Sequence, residues 1–291
     1  MVTTKTKVKR AFVDSPHGQI HYVFAGSGDP ILLLHQTPRS TDEYAEMVPK
    51  LAQTNLVISM DTLGYGDSDI PDQCPSIEDY AGTVPLVLDS MGINRATVVG
   101  HHTGSFIAAE AAVSHPERVD KLVLSGFFNM DAAERERNVG KWPQWEPQAD
   151  GSHLTGLWQK SIKRFDGDPR KAQRSLLDVL KAGTAAEYGH WAVVTWPQED
   201  RLPMIQCPTL LVWGTKDLQT LDRLGWQASA DKHKVGEAIP QCKEVEVPDG
   251  TTDFPKAMPD VFSELILDFI SEDVSKDAVP GFLSLDGRGL R

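Results

Sequence analysis

The stretch Gly100-His101-His102-Thr103-Gly104 decides how the chain folds, because it has the spacing of a sharp turn from a strand into a helix. Glycines two residues before and two residues after the central position let the strand and helix backbones pass close together. An elbow of this kind presents its central side chain, usually a serine nucleophile, at the top of a sheet. Here the central residue is His102, so the turn is predicted to carry an imidazole in the nucleophile position.

The residues that flank this stretch fit the same turn. Ala96-Thr-Val-Val-Gly100 has the length and the β-branched residues of a short buried strand. Ser105-Phe-Ile-Ala-Ala-Glu-Ala-Ala-Val113 is rich in residues with a high helix propensity. We therefore expect a strand, a sharp turn at His102 and a helix, in that order.

Apolar runs recur along the rest of the chain and alternate with helical segments, which predicts parallel strands joined by crossover helices in an α/β fold. Ahead of these runs, the stretches from Val8 to Ser15 and from Gln19 to Phe24 predict an antiparallel hairpin that opens the sheet. Six later strands are expected: Ile31-Leu-Leu-Leu34, Leu56-Val-Ile-Ser-Met60, Ala96-Thr-Val-Val99, Lys121-Leu-Val-Leu124, Thr209-Leu-Leu-Val-Trp213 and Glu244-Val-Glu-Val247.

Two helix starts are marked by a hydroxyl residue that is followed three positions later by an acidic residue. They are Ser40-Thr-Asp-Glu43 and Ser76-Ile-Glu-Asp79. In each, the hydroxyl and the carboxylate are expected to satisfy free amides at the start of the helix.

One segment interrupts the alternation of strands and helices, since residues 131–203 contain no convincing strand. We therefore predict a helical lid over residues 131–203, inserted into a core domain formed by residues 1–130 and 204–291. The lid side chains either pack a small core of their own or line a substrate pocket, and Trp158, Tyr188 and His153 are the candidates for the pocket. The tryptophan and tyrosine residues of the lid are Trp142, Trp145, Trp158, Tyr188, Trp191 and Trp196.

Composition narrows the possible partners. The 291 residues carry a formal net charge of −12, which repels phosphate backbones and anionic membranes, so we expect neither nucleic acid nor a membrane as a partner. No apolar run approaches the length of a membrane span, and the basic residues near Met1 are not followed by the apolar core of a secretion signal. A small-molecule substrate is the expected partner, and the sequence does not indicate an oligomeric state.

The cysteines point to a reducing compartment. Cys74, Cys207 and Cys242 are scattered without the spacing of a metal site, which favours reduced thiols in a cytoplasmic protein. The histidines and carboxylates near the turn also lack a close-spaced pair of metal ligands. We therefore expect a cytoplasmic protein that uses neither a metal nor another cofactor.

Three further motifs accompany the turn at His102. Leu32-Leu-Leu-His35-Gln36 ends one predicted strand, Asp61-Thr-Leu-Gly64-Tyr-Gly66-Asp-Ser68 follows the next, and Pro208-Thr-Leu-Leu-Val-Trp-Gly214-Thr-Lys-Asp217 contains a later one. Together with the predicted sheet and the inserted lid, these motifs resemble the α/β-hydrolase family with a cap domain, over about residues 8–270. The resemblance implies a mostly parallel sheet with flanking helices and a helical lid.

The resemblance also implies roles for individual residues. In this family the catalytic residues run nucleophile, acid and histidine along the chain. The nucleophile position is occupied by His102 and the acid position by Asp217. The final histidine position falls in Asp249-Gly-Thr-Thr-Asp253-Phe-Pro255, where Asp253 takes its place, and no histidine follows His233.

Two of the three catalytic positions have therefore changed, and we expect the two new residues to work as a dyad. An acyl-serine intermediate is excluded, because the serine is missing. Asp253 is predicted to accept a hydrogen bond from His102 and to fix its tautomer, so that the other ring nitrogen acts as a general base. Asp217 would then lie near a second carboxylate, so either it points elsewhere or one of the two is protonated.

The surroundings of this dyad supply candidate binding residues. The backbone amides of Gln36 and Thr103 are expected to form an oxyanion hole, to which the Gln36 side chain can add its own amide. His35 and His101 are expected to be hydrogen-bonded residues near the site, with His101 pointing away from the imidazole at the turn. Arg39 either reaches an anionic group of the substrate or lies solvated at the surface.

From these residues we predict a cofactor-independent hydrolase of a small, fairly apolar ester, lactone or related carbonyl compound. His102 would activate the attacking water, or would itself attack the carbonyl and form a labile acyl-imidazole. Two other functions stay open. The same imidazole could abstract a proton in a lyase, isomerase or cyclase, or the protein could bind a ligand without catalysis.

Overall fold

A computed structural model describes residues 6–143, 146–272 and 282–284 of the chain. The described strands form one sheet, and eight of the nine correspond to strands predicted from the sequence. They are β1 (Lys9–Ser15), β2 (Gly18–Gly26), β3 (Pro30–Leu34), β4 (Leu56–Met60), β5 (Ala96–His101), β6 (Val119–Ser125), β7 (Thr209–Gly214), β8 (Cys242–Val247) and β9 (Phe282–Ser284).

The sheet is mostly parallel, in the order β1-β2-β4-β3-β5-β6-β7-β8-β9. The pairs β1 with β2 and β2 with β4 are antiparallel. Every other pair of described strands is parallel. The predicted fold class, an α/β-hydrolase fold with a mostly parallel sheet, is confirmed.

Helices cover both faces of this sheet, as parallel strands require. Among the described residues, short 3₁₀ helices over residues 41–44, 183–185 and 202–204 accompany them. The α-helices are α1 (Val48–Leu51), α2 (Ile77–Ala81), α3 (Thr83–Ser90), α4 (Thr103–Ser114), α5 (Ala132–Asn138), α6 (Ser152–Arg164), α7 (Pro169–Ala182), α8 (Tyr188–Val193), α9 (Gln198–Arg201), α10 (Thr215–Arg223), α11 (Ala228–Ala238), α12 (Phe254–Ala257) and α13 (Pro259–Ser271).

The core has two halves, one on each face of the sheet. In β3, Ile31 and Leu33 point to the face covered by α1 and α13. Leu32 and Leu34 point to the opposite face, which is covered by α2, α3 and α4. All four side chains are fully buried. An unbroken apolar strand is therefore explained by its position inside the sheet, where successive side chains enter different halves of the core.

The lid, which we define as residues 131–203, lies between β6 and β7 in the chain, and its described part contains helices α5 to α9 and no strand. A fully buried carboxylate ties it to the core. Glu110 of α4 accepts hydrogen bonds from Nε1 of Trp196 at 2.9 Å and from Nε of Arg201 at 2.8 Å. The exact bounds of the lid stay a prediction, and Trp145 lies outside the described residues.

Of the two predicted capping boxes, the one at Ser76 is confirmed, with both reciprocal hydrogen bonds to Asp79. The one at Ser40 is wrong. Ser40 does accept a hydrogen bond from the backbone of Asp42, but the helix that follows is a single 3₁₀ turn. The side chain of Glu43 is used elsewhere, because it accepts hydrogen bonds from Gln36.

No helix in the described part of the chain combines the length and the apolar character that crossing a membrane requires.

The two glycines of the elbow allow β5 and α4 to approach closely. A Cβ atom on Gly100 would lie 2.1 Å from the carbonyl oxygen of Gly104, and one on Gly104 would lie 2.1 Å from that of Leu34. Contacts this short with backbone atoms require the helix or the strand to move. By contrast, a Cβ atom on Gly156, in α6, would have no neighbour within 4 Å.

We predict that Gly104→Ala lowers the free energy of unfolding by about 1–3 kcal/mol, since the methyl group overpacks the elbow. Gly156→Ala is the matched control and should raise it by about 0.5–1 kcal/mol, because alanine favours the helix. Urea unfolding of both variants measures the difference. A Gly104→Ala protein as stable as the wild type would show that the close approach at the elbow is not required.

Candidate active site

The imidazole of His102 stands on the sharp turn between β5 and α4. Its backbone has φ 46° and ψ −117°, a conformation that residues with a side chain rarely adopt. The His102 N–H donates to the carbonyl oxygen of Ser125 at 2.8 Å, at the end of the neighbouring strand β6. Backbone strain of this kind is retained where the surrounding structure determines it, and it marks a candidate functional residue.

Asp217, in the first turn of α10, is the carboxylate that faces this imidazole. Its Oδ2 atom lies 3.1 Å from Nε2 of His102. Gly126, directly after β6, leaves room for the contact, since a Cβ atom there would lie 2.8 Å from the same Nε2. The two groups therefore form a short, buried ion pair when the imidazole is protonated.

Asp253, the predicted partner of His102, makes its contacts elsewhere, and the predicted pairing is wrong. Its Oδ2 atom accepts a hydrogen bond from Nε of Arg164, in lid helix α6. Its Oδ1 atom lies 3.9 Å from a terminal nitrogen of Arg39. A buried carboxylate is stabilised by two guanidinium groups, whereas the imidazole is already occupied by the carboxylate of Asp217.

Separate cations keep both carboxylates ionised. Burial alone would raise the pKa of Asp217, but the charge of His102 outweighs it and lowers that pKa. Burial likewise would raise the pKa of Asp253, and the charges of Arg164 and Arg39 lower it instead. The two carboxylates are therefore not left facing each other, because Asp253 points away from the imidazole.

The pKa of His102 is raised above its ordinary value of about 6.5. Burial on its own would lower this pKa, but the adjacent charge of Asp217 favours the imidazolium and dominates. A raised pKa makes the imidazole a stronger proton acceptor, which is the property required of a general base.

Thr252 connects this pair to the rest of the site, and sequence reasoning did not single it out. Its hydroxyl donates to Oδ1 of Asp217 at 2.8 Å. Its carbonyl oxygen accepts hydrogen bonds from Nε2 of His101 at 2.9 Å and from the side-chain amide of Gln36 at 3.0 Å. The loop after β8 therefore fixes the orientation of the carboxylate that faces the imidazole.

His101 does not point away from the site as predicted. Its ring centroid lies 4.6 Å from that of His102, in an edge-on contact, because the strained turn redirects the chain after β5. One ring nitrogen donates to Thr252 and the other lies 3.1 Å from the hydroxyl of Ser125. Burial, together with the charge of His102, lowers the pKa of His101 to about 3, so this ring is neutral.

The backbone amide of Gln36 is not free to bind an oxyanion, contrary to the prediction. It donates to one oxygen of the Glu43 carboxylate at 2.9 Å, and the Gln36 side chain donates to the other at 2.7 Å. Glu43 is fully buried. Burial raises its pKa to about 7, against the opposing effect of the hydrogen bonds from Gln36.

The amide of Thr103, the other predicted oxyanion donor, opens the first turn of α4 and has no acceptor among the described residues. Thr37, which follows Gln36, also borders the space in front of His102. The lid covers both threonines, since a Cβ atom on Gly189 would lie 1.9 Å from the Thr37 hydroxyl and 2.9 Å from the Thr103 methyl. Sequence reasoning named Thr103 and missed Thr37.

A cavity of about 220 Å³ lies between the elbow and the lid. Most of its wall is apolar, and Arg164 is the only described wall residue with a permanent charge. The residues that line it are Gln36, Thr37, Pro38, His102, Thr103, Phe106, Phe128, Trp142, Arg164, His190, Val193, Val194, Leu221, Leu224, Trp226 and Thr252.

Two predicted binding residues lie behind this wall instead of in it. His35 is buried, its Nδ1 lies 2.8 Å from the carbonyl oxygen of Gln36, and its Nε2 accepts from the backbone N–H of Thr62 at 3.0 Å. Arg39 is neither solvated nor in the cavity, since only 3% of it is exposed. It lies against Asp253, so neither of its two predicted positions, at the surface or against a substrate in this cavity, is found.

The three predicted pocket residues of the lid do not line the cavity either. Trp158 is half-buried, and Tyr188 packs against Trp191 with ring centroids 5.5 Å apart. His153 accepts a hydrogen bond from the backbone of Gln148 at 3.0 Å. Other aromatic residues line the cavity in their place: Trp142 from the segment between α5 and α6, His190 from α8 and Trp226 from the segment between α10 and α11.

One group of side chains in the described ranges has ligand atoms close enough together for a metal ion, namely His21, Asp61 and Asp67. Asp61 already accepts hydrogen bonds from His21 at 2.7 Å and from the backbone of Asp67 at 2.9 Å. Asp67 also forms an ion pair with Lys181. These contacts satisfy the carboxylates, and none of the three residues lines the cavity beside His102.

Comparison with known proteins identifies relatives over most of the chain. A family model described as the alpha/beta hydrolase fold matches residues 29–251. An uncharacterised protein of Mycobacterium tuberculosis strain H37Rv is 39% identical over 257 residues, which cover 79% of this chain and 72% of that protein.

Two solved structures have a similar fold. The enol-lactonase from Burkholderia xenovorans LB400 has a TM-score of 0.72 at 21% identity, covering 90% of this chain and all of the other. Est816, described as an N-acyl homoserine lactone degrading enzyme, has a TM-score of 0.69 at 25% identity, covering 89% of this chain and all of the other.

We predict that Asp217→Asn lowers the pKa of His102, because removing the adjacent negative charge destabilises the imidazolium. Asp253→Asn should lower it less, since the charge of Asp253 is already offset by Arg164. Histidine titration by NMR measures both shifts, with the His102 signal assigned by its loss in His102→Gln. An equal or larger shift in Asp253→Asn would instead support the pairing of His102 with Asp253, which the structure contradicts.

Proposed function

This chain belongs to the α/β-hydrolase fold family, and on that premise we propose that it hydrolyses small esters, lactones or related carbonyl compounds, with His102 as the general base. One observation carries the proposal. The imidazole on the strained turn has a buried carboxylate, Asp217, on one side and an apolar cavity on the other. The proposed dyad is therefore His102 with Asp217.

The two ring nitrogens take different roles. Nε2 of His102 is sealed from solvent against Asp217, so it carries the proton that faces the carboxylate. Nδ1 is then the unprotonated nitrogen, and it serves the cavity that His102 lines. A neutral imidazole in this tautomer can accept a proton from water.

The reaction follows from this tautomer. Nδ1 takes one proton from a water molecule while the water oxygen bonds to the carbonyl carbon, and the carbonyl oxygen becomes an oxyanion. The bond from this carbon to the leaving oxygen then breaks, and the imidazolium returns its proton to the leaving group. The products are an acid and an alcohol, or a hydroxy acid from a lactone. Asp217 stabilises the imidazolium between the two steps.

The oxyanion is assigned to backbone amides. The Thr103 N–H at the start of α4 has no other acceptor among the described residues, and the end of a helix with free amides favours negative charge. We assign the second amide to Thr37, because Gln36 is committed to Glu43. Each donor of this type typically contributes about 10²–10³-fold in rate.

A serine mechanism has no support in this site. Ser105, the serine nearest to the elbow in sequence, is fully buried and its hydroxyl donates to the carbonyl oxygen of His102 at 2.5 Å. The position from which a histidine would activate a serine is held by Asp253, which binds Arg164. Similarity in fold to two lactone-degrading enzymes and the apolar wall of the cavity favour a lactone or ester as the substrate.

We predict that His102→Ala reduces kcat for a panel of lactones and esters by about a hundredfold or more, because general base catalysis contributes about 10²–10⁴-fold. His102→Ser should be no more active, since no base is positioned to activate the new hydroxyl. Acid release in a pH-stat, on each variant and the wild type, measures the effect.

His17→Ala is the control for this comparison, because His17 is exposed and lies near Asp79, away from the cavity. It should retain wild-type turnover. Turnover that survives in His102→Ala would contradict the proposal. Proton exchange at substrate carbon with no release of acid would instead assign the same base to lyase or isomerase chemistry.

A further inference from the structure

We infer that the substrate of this site carries a free carboxylate in addition to the carbonyl that reacts, and that Arg164 binds this carboxylate. The inference rests on the proposed function and narrows it to apolar esters or lactones that bear one acidic group. Arg164 then determines which substrates are accepted, whereas His102 performs the chemistry.

The first observation is the placement of charge in the cavity. Arg164 at the end of α6 and His102 at the elbow line the same cavity of about 220 Å³. None of the described lining residues is an aspartate or a glutamate. An anionic ligand would therefore meet one fixed positive charge and no fixed negative charge on the described wall, while the apolar surface binds its hydrocarbon part.

The second observation is the way in which the guanidinium is held. Nε of Arg164 donates to Asp253, whose side chain is only 7% exposed. The two terminal nitrogens of Arg164 donate to no acceptor among the described residues, and the side chain is 36% exposed. The guanidinium is thus fixed through Nε, while its two terminal nitrogens remain available as donors. Two such donors can bind both oxygens of a carboxylate.

The third observation is a second cation behind the first. Arg39 is buried, and its terminal nitrogen lies 3.9 Å from the same Asp253. Two guanidinium groups therefore share one carboxylate at this end of the cavity. The charges of Asp178 and Glu43 also act on Arg39, but neither residue lines the cavity. Asp253 is therefore shared between two guanidinium groups, so its single negative charge does not act on Arg164 alone.

This arrangement would orient the substrate. With its carboxylate on Arg164 in the lid, the apolar part of the molecule lies along side chains such as Trp142 and Phe128, and the reacting carbonyl faces His102. Fixing the substrate at a point away from the reacting carbon lowers the entropy cost of reaching the transition state. The same carboxylate also selects against neutral analogues, which would leave the guanidinium without a partner.

The test is a binding measurement that does not depend on turnover. 4-Phenylbutanoate and its neutral isostere 4-phenylbutanamide are titrated by calorimetry into the full chain carrying His102→Ala. The acid should bind about tenfold more tightly than the amide, or more, as a charge-assisted pair predicts. Because this variant is not required to catalyse, a failure of the proposed hydrolysis does not affect the result.

Arg164→Gln in the same background should abolish the preference for the acid. Arg164→Lys should keep part of this preference, since the positive charge is retained but the pair of parallel N–H donors is lost. Lys163→Gln is the matched control, because it removes a positive charge from an exposed neighbour on the same helix, and it should keep the full preference.

Two results would overturn the inference. One is equal binding of the acid and the amide to the protein with Arg164 intact, a comparison that needs no substitution in the lid and so does not depend on the folding of Arg164→Gln. The other is a preference for the acid that Arg164→Gln and Lys163→Gln reduce equally, which would assign the effect to the overall charge of the lid.

Discussion

The strained turn at His102 is the constraint on which the rest of the site depends. Its φ of 46° is imposed by the close approach of β5 and α4, which Gly100 and Gly104 permit. Backbone packing therefore sets the position of the His102 Cβ atom, and contacts of the ring with Asp217 and His101 then set the direction of the imidazole. Asp217 and Gly126 lie directly beside this ring and restrict it, which is how a catalytic group is preorganised.

The second organising feature is the separation of two buried carboxylates. Asp217 faces His102, and Asp253 faces Arg164 and Arg39. Since two carboxylates cannot both ionise cheaply at close range, each needs its own cation. One of these cations comes from the lid, so the lid both covers the cavity and neutralises the carboxylate that would otherwise compete for the imidazole.

Sequence patterns predicted the features that depend on local spacing. Apolar runs predicted the strands, and the two glycines predicted the elbow. The motif that contains β7 predicted Asp217 as the acid. The partners of Asp253 and Gln36 were missed for a physical reason. Arg164 reaches Asp253 across 89 positions from a helix whose packing no motif indicates, and Glu43 matched a capping box but is bound by Gln36. Which of several possible hydrogen-bond partners a side chain binds depends on tertiary packing, and a single sequence does not show that packing.

The most direct test of the account is the pH dependence of kcat/KM for one hydrolysed ester, in the wild type and in Asp217→Asn. A general base is active when neutral, so activity should rise with pH through a pKa above about 6.5, the ordinary value of histidine. Loss of the Asp217 charge lowers the pKa of His102 and should move this rise to lower pH, together with a lower plateau. A profile that does not move, or that is flat across the titration of His102, would contradict the claim that this pair forms the base.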